Sequence, residues 1–334
     1  MSARPEIMEA IRLATLAPSR YNTQPWIFVV AGDRVQIFPD PIRKLAVVDA
    51  EERELHVSLG SALENLVIAA HREGLAPEVD YFPPEHPAAL VVRFPVGRVE
   101  EPPELFDAIP QRHTTRRRYR RREIPMTALQ QLETAGRREG VAIHVITDRT
   151  VIDTVANLAA TAVRVQWGNR AFREELINWI RFNHQEVEQW HDGLGARSLG
   201  LAPTPRWLGA LRVRHLTAQS SRTRRVLRQV TSSSALVVFA AERNDRRHWV
   251  DVGRSFERVV LTATALGIRY APMNTACEVP PTHRELQRSL HLDGADPVFL
   301  IRLGYAKAGA RAPRRPLNDV VTARPAAAGA IGTN

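Results

Sequence analysis

The spacing of apolar positions divides the chain into helices and strands. Ile7, Ala10, Ile11 and Ala14 recur at the interval of one buried helical face, which predicts a helix over 4–17 stopped near Pro18. Residues 26–30 and 35–38 are β-branched runs separated by Gly32-Asp33, the signature of a hairpin. Leu55, Leu59, Ala62, Leu63, Leu66 and Ala70 mark a long helix over 51–73, with Gly74 as its stop. A strand is expected over 89–96 and a linker over 97–104. Beyond it the pattern predicts helices over 126–138, 150–165, 170–188, 219–230 and 246–266. Strands are expected over 141–147, 234–241 and 298–305. Residues 191–218 show no clean period, and a loop of that length in a compact chain usually carries function. The Ala-, Gly- and Pro-rich tail, 323–334, is expected to be flexible or an arm.

Two of these helices match. VSLGSALENLVIAAHREGL from Val57 aligns without a gap on VDVGRSFERVVLTATALGI from Val250, every pair being 193 residues apart. Gly60 pairs with Gly253, Glu64 with Glu257, Ala70 with Ala263 and Gly74 with Gly267. The apolar positions agree as well, which predicts two related halves, 1–104 and 105–322, with 191–218 as an insert or lid in the second.

Composition narrows the picture. The 334 residues are long enough to bury a full core, and 44% are apolar. No apolar run approaches the roughly 18 residues of a membrane span, and the N-terminus lacks the apolar centre of a signal peptide. The single cysteine, Cys277, excludes an internal disulfide and a thiolate metal site, so a cytoplasmic location is expected. The net charge of +10 raises nucleic-acid binding as a minor alternative. Lysine occurs only at Lys44 and Lys307, however, so the basicity is an arginine bias of composition.

Phosphate-loop, nucleophile-elbow and HExxH patterns are missing, so any chemistry is expected from an organic cofactor, with no metal. Two stretches stand out. APSRYNTQPW, 17–26, sets Ser19, Asn22 and Gln24 on a proline-stiffened loop beside Trp26. It suits a rigid cradle for a flat ligand, or equally a helix-to-strand connection bonded to its own backbone. RHTTR, 112–116, offers two guanidinium forks and hydroxyls suited to phosphate, or else begins a solvated basic face running to Arg122.

APSRYNTQPW resembles the PSxxNxQPW signature of the nitroreductase family, and RHTTR resembles that family's phosphate motif. The resemblance implies an α+β fold with antiparallel sheets flanked by helices. It implies FMN at a subunit interface, NAD(P)H as reductant, a nitroaromatic, quinone or other small acceptor, and no catalytic side chain in the strict sense. Each motif occurs once here and in reversed order, as in a pseudo-dimer made of two halves of one chain, either monomeric or a homodimer. Carried over by position, Arg112, His113, Thr114 and Arg116 would hold the phosphate, with Arg314 as a late addition. Pro18, Ser19, Asn22 and Gln24 would face the isoalloxazine, and Pro272, Met273 and Asn274 would lie beside it. Arg20 and Tyr21 replace small residues of the pattern. Their bulk and the 191–218 insert raise a second expectation, of a protein that holds FMN beneath a lid with little turnover.

Overall fold

The computed structural model describes residues 4–323 apart from 98, 200–201, 216–218, 293 and 310. Helix α1 (Pro5–Ala14) leads through the 17–26 loop into a hairpin of β1 (Trp26–Ala31) and β2 (Arg34–Pro39). Gly32, at φ +64°, makes the turn. Helix α2 (Arg53–Arg72), strands β3 (Glu78–Tyr81) and β4 (Leu90–Arg93), and helix α3 (Pro103–Ala108) follow. Helix α4 (Met126–Gly136) and β5 (Val141–Ile146) open the second half.

A long insert then separates β5 from β8 (Ala235–Ala241). It holds α5 (Arg149–Gly168), α6 (Arg170–Trp179), β6 (Ile180–Arg181), α7 (His184–Trp190), β7 (Leu194–Gly195), α8 (Arg206–His215) and α9 (Gln219–Thr231). The chain ends with α10 (Arg246–Ala265), β9 (Arg269–Pro272), α11 (Thr275–Glu278), α12 (Pro280–Ser289), β10 (Asp296–Gly304) and β11 (Val321–Ala323).

The two sheets repeat one plan. The first has the order β11-β1-β2-β4-β3 and the second β5-β8-β10-β9. Leaving β11 aside, each half lays down its strands in the order first, second, fourth, third, all antiparallel. The matched helices α2 and α10 cross at the matched glycines. A β-carbon on Gly60 would lie 2.1 Å from the Val250 carbonyl oxygen, and one on Gly253 would lie 2.1 Å from that of Val57. Such reciprocal contact is what a two-fold axis produces between identical subunits. The close approach requires glycine because any side chain would drive the backbones apart. The cores interlock across it: Val250 and Leu261 of α10 lie in the first core, and Val57 of α2 lies in the second.

Four expectations need correction. The 97–104 linker already contains the start of α3, whose Leu105 and Ala108 fill the first core. The half boundary at 322 is crossed too, since β11 pairs in parallel with β1, Phe28 opposite Val321. The helix expected over 170–188 is broken after Trp179, because Asn183 and Glu186 form a reciprocal cap. Asn183 Oδ1 accepts from Glu186 N at 2.9 Å, and Glu186 Oε2 accepts from Phe182 N at 3.0 Å. A cap of this kind starts a new helix in spite of a favourable apolar period. Finally, 191–218 is no simple loop. It carries β7 and α8, and with α6 it builds a small core of Phe172, Leu176, Phe182, Leu194, Ala210 and Val213. Gly209 is required there, as a β-carbon would sit 2.2 Å from the Phe182 ring. The tail from 324 lies outside the described residues.

Candidate functional site

The 17–26 loop is strained and held from all sides. Tyr21, Asn22 and Gln24 lie at φ +50°, +57° and +52°, a left-handed region that costs such residues on the order of 1–3 kcal/mol each. Ser19 Oγ accepts from Gln24 N at 2.9 Å and closes the turn. Asn22 Nδ2 donates to the Pro313 carbonyl at 3.1 Å, while its Oδ1 accepts from Arg314 Nη1 at 3.0 Å. Gln24 is fully buried. Its Nε2 donates to the His191 carbonyl and its Oε1 accepts from Arg315 N, each at 2.9 Å. Gln24 thus clamps the insert and the C-terminal segment to the loop, and both ends of its amide are occupied by protein.

Arg20 turns inward. Its guanidinium meets Glu278 at 2.7 Å and Glu54 at 3.3 Å, and stacks 4.7 Å over the Tyr21 ring. Burial lifts the Glu278 carboxyl well above the usual range, helped by Glu54 and opposed by Arg20. Burial also pushes Glu54 up, but Arg20 and hydrogen bonds from Glu278 and Asn274 outweigh it and hold Glu54 low. The two carboxyls are thus pushed in opposite directions, Glu278 toward its neutral form and Glu54 toward its charged form. The Tyr21 ring packs against the small core of the insert. The bulk at 20 and 21 is thus spent on anchoring the loop and seating the insert.

RHTTR is brought to the same place. Arg112 Nη2 donates to the Leu16 carbonyl, as does Arg314 Nη2 at 2.9 Å, so both arginines close on the C-terminal end of α1. Arg112 also donates to the Tyr270 hydroxyl and forms an ion pair with Glu257 at 3.2 Å. His113 is occupied at both ring nitrogens, by the Gln111 carbonyl and by Gly309 N. Thr115 Oγ1 is buried without a partner, and Thr114 has no hydrogen bond from its hydroxyl among the described residues.

Arg116 differs from its neighbours. Among the described residues its guanidinium makes no ion pair, and its neighbours in charge are Arg20, Arg302 and Arg225. Burial first, and then these cations, lower it to about 10, although an arginine stays charged at neutral pH. Arg314 is lowered to about 9 by burial and by Arg112, and its hydrogen-bond partners are amide oxygens only. Arg112, Arg116 and Arg314 thus form a buried cationic cluster beside the 17–26 loop.

Pro272 ends β9, Met273 lies in the core, and Asn274 is wholly buried between Glu54 and Leu300 N. These three adjoin the Arg20 cluster and support it. Sequence spacing missed Arg302 and Arg315. Arg302 is buried in β10, where its guanidinium donates to the carbonyls of Thr115, Arg117 and Gln229 and so shapes the RHTTR backbone. A single arginine within the apolar run VFLIRLG was the available signal.

The insert is fastened across the loop. Gly193 N donates to the Asn22 carbonyl at 3.2 Å, Asp192 pairs with Arg43 at 2.7 Å and with Arg181 at 2.5 Å, and Glu175 accepts from Val47 N and Val48 N.

No family model matches the chain. A Mycobacterium tuberculosis protein provisionally named as an NAD(P)H nitroreductase is 28% identical over 327 residues, covering 94% of this chain and 90% of its own. A second from that organism, named acg, is 27% identical over 332 residues, covering 95% and 96%. The Serratia protein PigM, also named as an NAD(P)H nitroreductase, is 23% identical over 345 residues, covering 95% and 93%. Among solved structures, the FMN-dependent nitroreductase NfnB of Mycobacterium smegmatis, in complex with NADPH, matches with a TM-score of 0.45 and 18% identity. It covers 65% of this chain and 96% of its own.

Proposed function

We propose that the chain, which is similar over nearly its whole length to proteins named as NAD(P)H nitroreductases, is an oxidoreductase of that type that holds one FMN per chain and uses NAD(P)H to reduce a small acceptor such as a nitroaromatic or a quinone. The observation that carries this reading is the unneutralised Arg116 guanidinium in the motif where a phosphate is expected. The residues present fit the group. Arg116 and Arg314 supply charge, and the buried Thr115 hydroxyl lacks a partner. Arg112 positions this set by tying it to Glu257, Tyr270 and Leu16. FMN, when bound, supplies two-electron redox chemistry. The chain's part is to orient the ring with the strained Ser19–Gln24 loop, exclude water with the insert, and neutralise the phosphate.

Each of the two motifs occurs once in the chain, which supports one such site. We read the halves as a pseudo-dimer in which one contributes the ring loop and the other the phosphate grip. The test is anaerobic addition of NADPH to the purified protein. The flavin absorbance should bleach within minutes, and persistent oxidised absorbance would sink the reductase reading. Arg116→Ala should weaken FMN retention at least tenfold, measured by flavin content after gel filtration.

A second reading is favoured by the fastening of the insert across the loop. Here the insert is a lid and the protein sequesters FMN. Asp192→Asn frees Arg43 and Arg181. A lid predicts faster reduction by NADPH, whereas a substrate-binding segment predicts slower reduction.

A further inference from the structure

Helix α9 carries more positive charge toward the site than one phosphate needs. Its Gln229 Nε2 donates to the Arg116 carbonyl at 2.5 Å, so the face bearing Gln229 lies against the phosphate motif. Arg225 and Arg222 precede Gln229 by four and seven residues and share that face. At about 1.5 Å of rise per residue, Arg222 stands some ~10 Å further along the helix axis than Gln229. Arg222 is partly buried, and its guanidinium stacks 3.3 Å from the centre of the Trp167 ring. Trp167 is itself packed edge-on against Phe172 of the insert core. Stacking fixes the guanidinium plane and leaves its in-plane N–H groups free to bind two oxygens at once. Arg225 donates to the Leu199 carbonyl. Among the described residues neither arginine has a carboxylate partner. A basic face that is merely solvated would extend its side chains into water; Arg222 is instead withdrawn and oriented, with only Arg225 as a charged neighbour. Burial and Arg225 lower it to about 10, and it remains a cation at neutral pH.

We propose that Arg222 and Arg225 form a second phosphate subsite, separate from the RHTTR grip, that receives the 2′-phosphate of the nucleotide reductant. The inference rests on the reading that Arg116 holds the first phosphate. It makes the protein selective for NADPH over NADH, because an arginine pair matches a phosphate monoester and finds no partner on a 2′-hydroxyl.

The experiment compares wild-type holoprotein with Arg222→Gln and with the double variant Arg222→Gln, Arg225→Gln. Anaerobic flavin reduction gives the apparent Kd for NADPH and for NADH. The double variant is expected to weaken NADPH at least tenfold and NADH less than twofold, with flavin content unchanged. Calorimetric titration with adenosine 2′,5′-bisphosphate and 5′-AMP gives a readout independent of turnover, and wild type should prefer the bisphosphate at least tenfold. Equal weakening of both reductants, or wild-type protein with no preference for the bisphosphate, overturns the subsite. Loss of flavin from the variants assigns these arginines to the flavin's own phosphate, or to a dinucleotide flavin, and likewise overturns it. A wild-type protein that prefers the bisphosphate yet binds no FMN removes the proposed function and leaves the subsite standing.

Discussion

Glu64 and Glu257 occupy matching positions on helices that cross at matching glycines, and their surroundings are opposite. Glu64 is met by Arg254 at 2.6 Å, Arg258 at 2.9 Å and Arg138 at 3.4 Å. The network continues through Tyr81 to Asp251 and through Arg258 to Glu101 and His71. Burial would raise this carboxyl, but the three arginines outweigh it and hold it at about 2. Glu257 has one ion pair, to Arg112 Nε, and neither of its oxygens accepts a well-aligned hydrogen bond among the described residues. Burial lifts it to about 7, and Arg112, Arg314 and Asn65 pull it back only in part. Glu64 is therefore the centre of a closed salt-bridge network, while the arginines beside Glu257 spend most of their hydrogen bonds on carbonyl and hydroxyl groups. The same Gly–Glu helix therefore places its glutamate in two different electrostatic settings, set by which arginines the neighbouring elements bring to it.

The most damaging way to break this pairing is at the crossing itself. Gly253→Ala, or Gly60→Ala, places a β-carbon against a backbone oxygen with nowhere to move, and should cost about 3 kcal/mol or more in thermal or urea unfolding. A Tm within 2 °C of wild type would show that the helices do not approach as described. Next comes Glu64→Gln, which leaves three arginines facing a neutral amide. It should cost about 3–5 kcal/mol at pH 7 while leaving flavin content per folded protein unchanged.

The mildest change sharpens the contrast through pH. The depressed carboxyl, Glu64, contributes stability that is present above its ordinary value of 4.5 and lost as pH falls toward 2. The raised one, Glu257, behaves in the opposite sense, its contribution being complete below 4.5 and lost as pH rises toward 7. Glu257→Gln should therefore gain on wild type in unfolding free energy between pH 5 and pH 8, by on the order of 2–3 kcal/mol, read from urea unfolding at each pH. A difference that stays flat over that range would mean that Glu257 is ionised throughout.

Much of the fold was legible because it depends on local pattern. The apolar stripes of α1, α2 and α10 and the β-branched runs of β1, β2, β8 and β10 lie where spacing put them. Among the elements that escaped were α3, β3, β7, α8, β9, α12 and β11, most of them short or polar and held by their neighbours. The break at Asn183 was present as a capping signal but lay within a permissive helical period.

The candidate site divides along the same line. The sequence by itself determined that two motifs exist, that they fall in different halves, and that the two halves share a Gly–Glu helix. Their residue types and spacing are written in the chain. Only the tertiary structure decided that Arg112 is tied to Glu257 while Arg116 makes no ion pair among the described residues, that Gln24 clamps the insert, and that Arg20 turns inward to Glu54 and Glu278. The ionisation and availability of a charged group depend on its burial and on the sign of charges a few ångströms away. Those neighbours come from positions as distant as 20 and 278, which no local pattern connects.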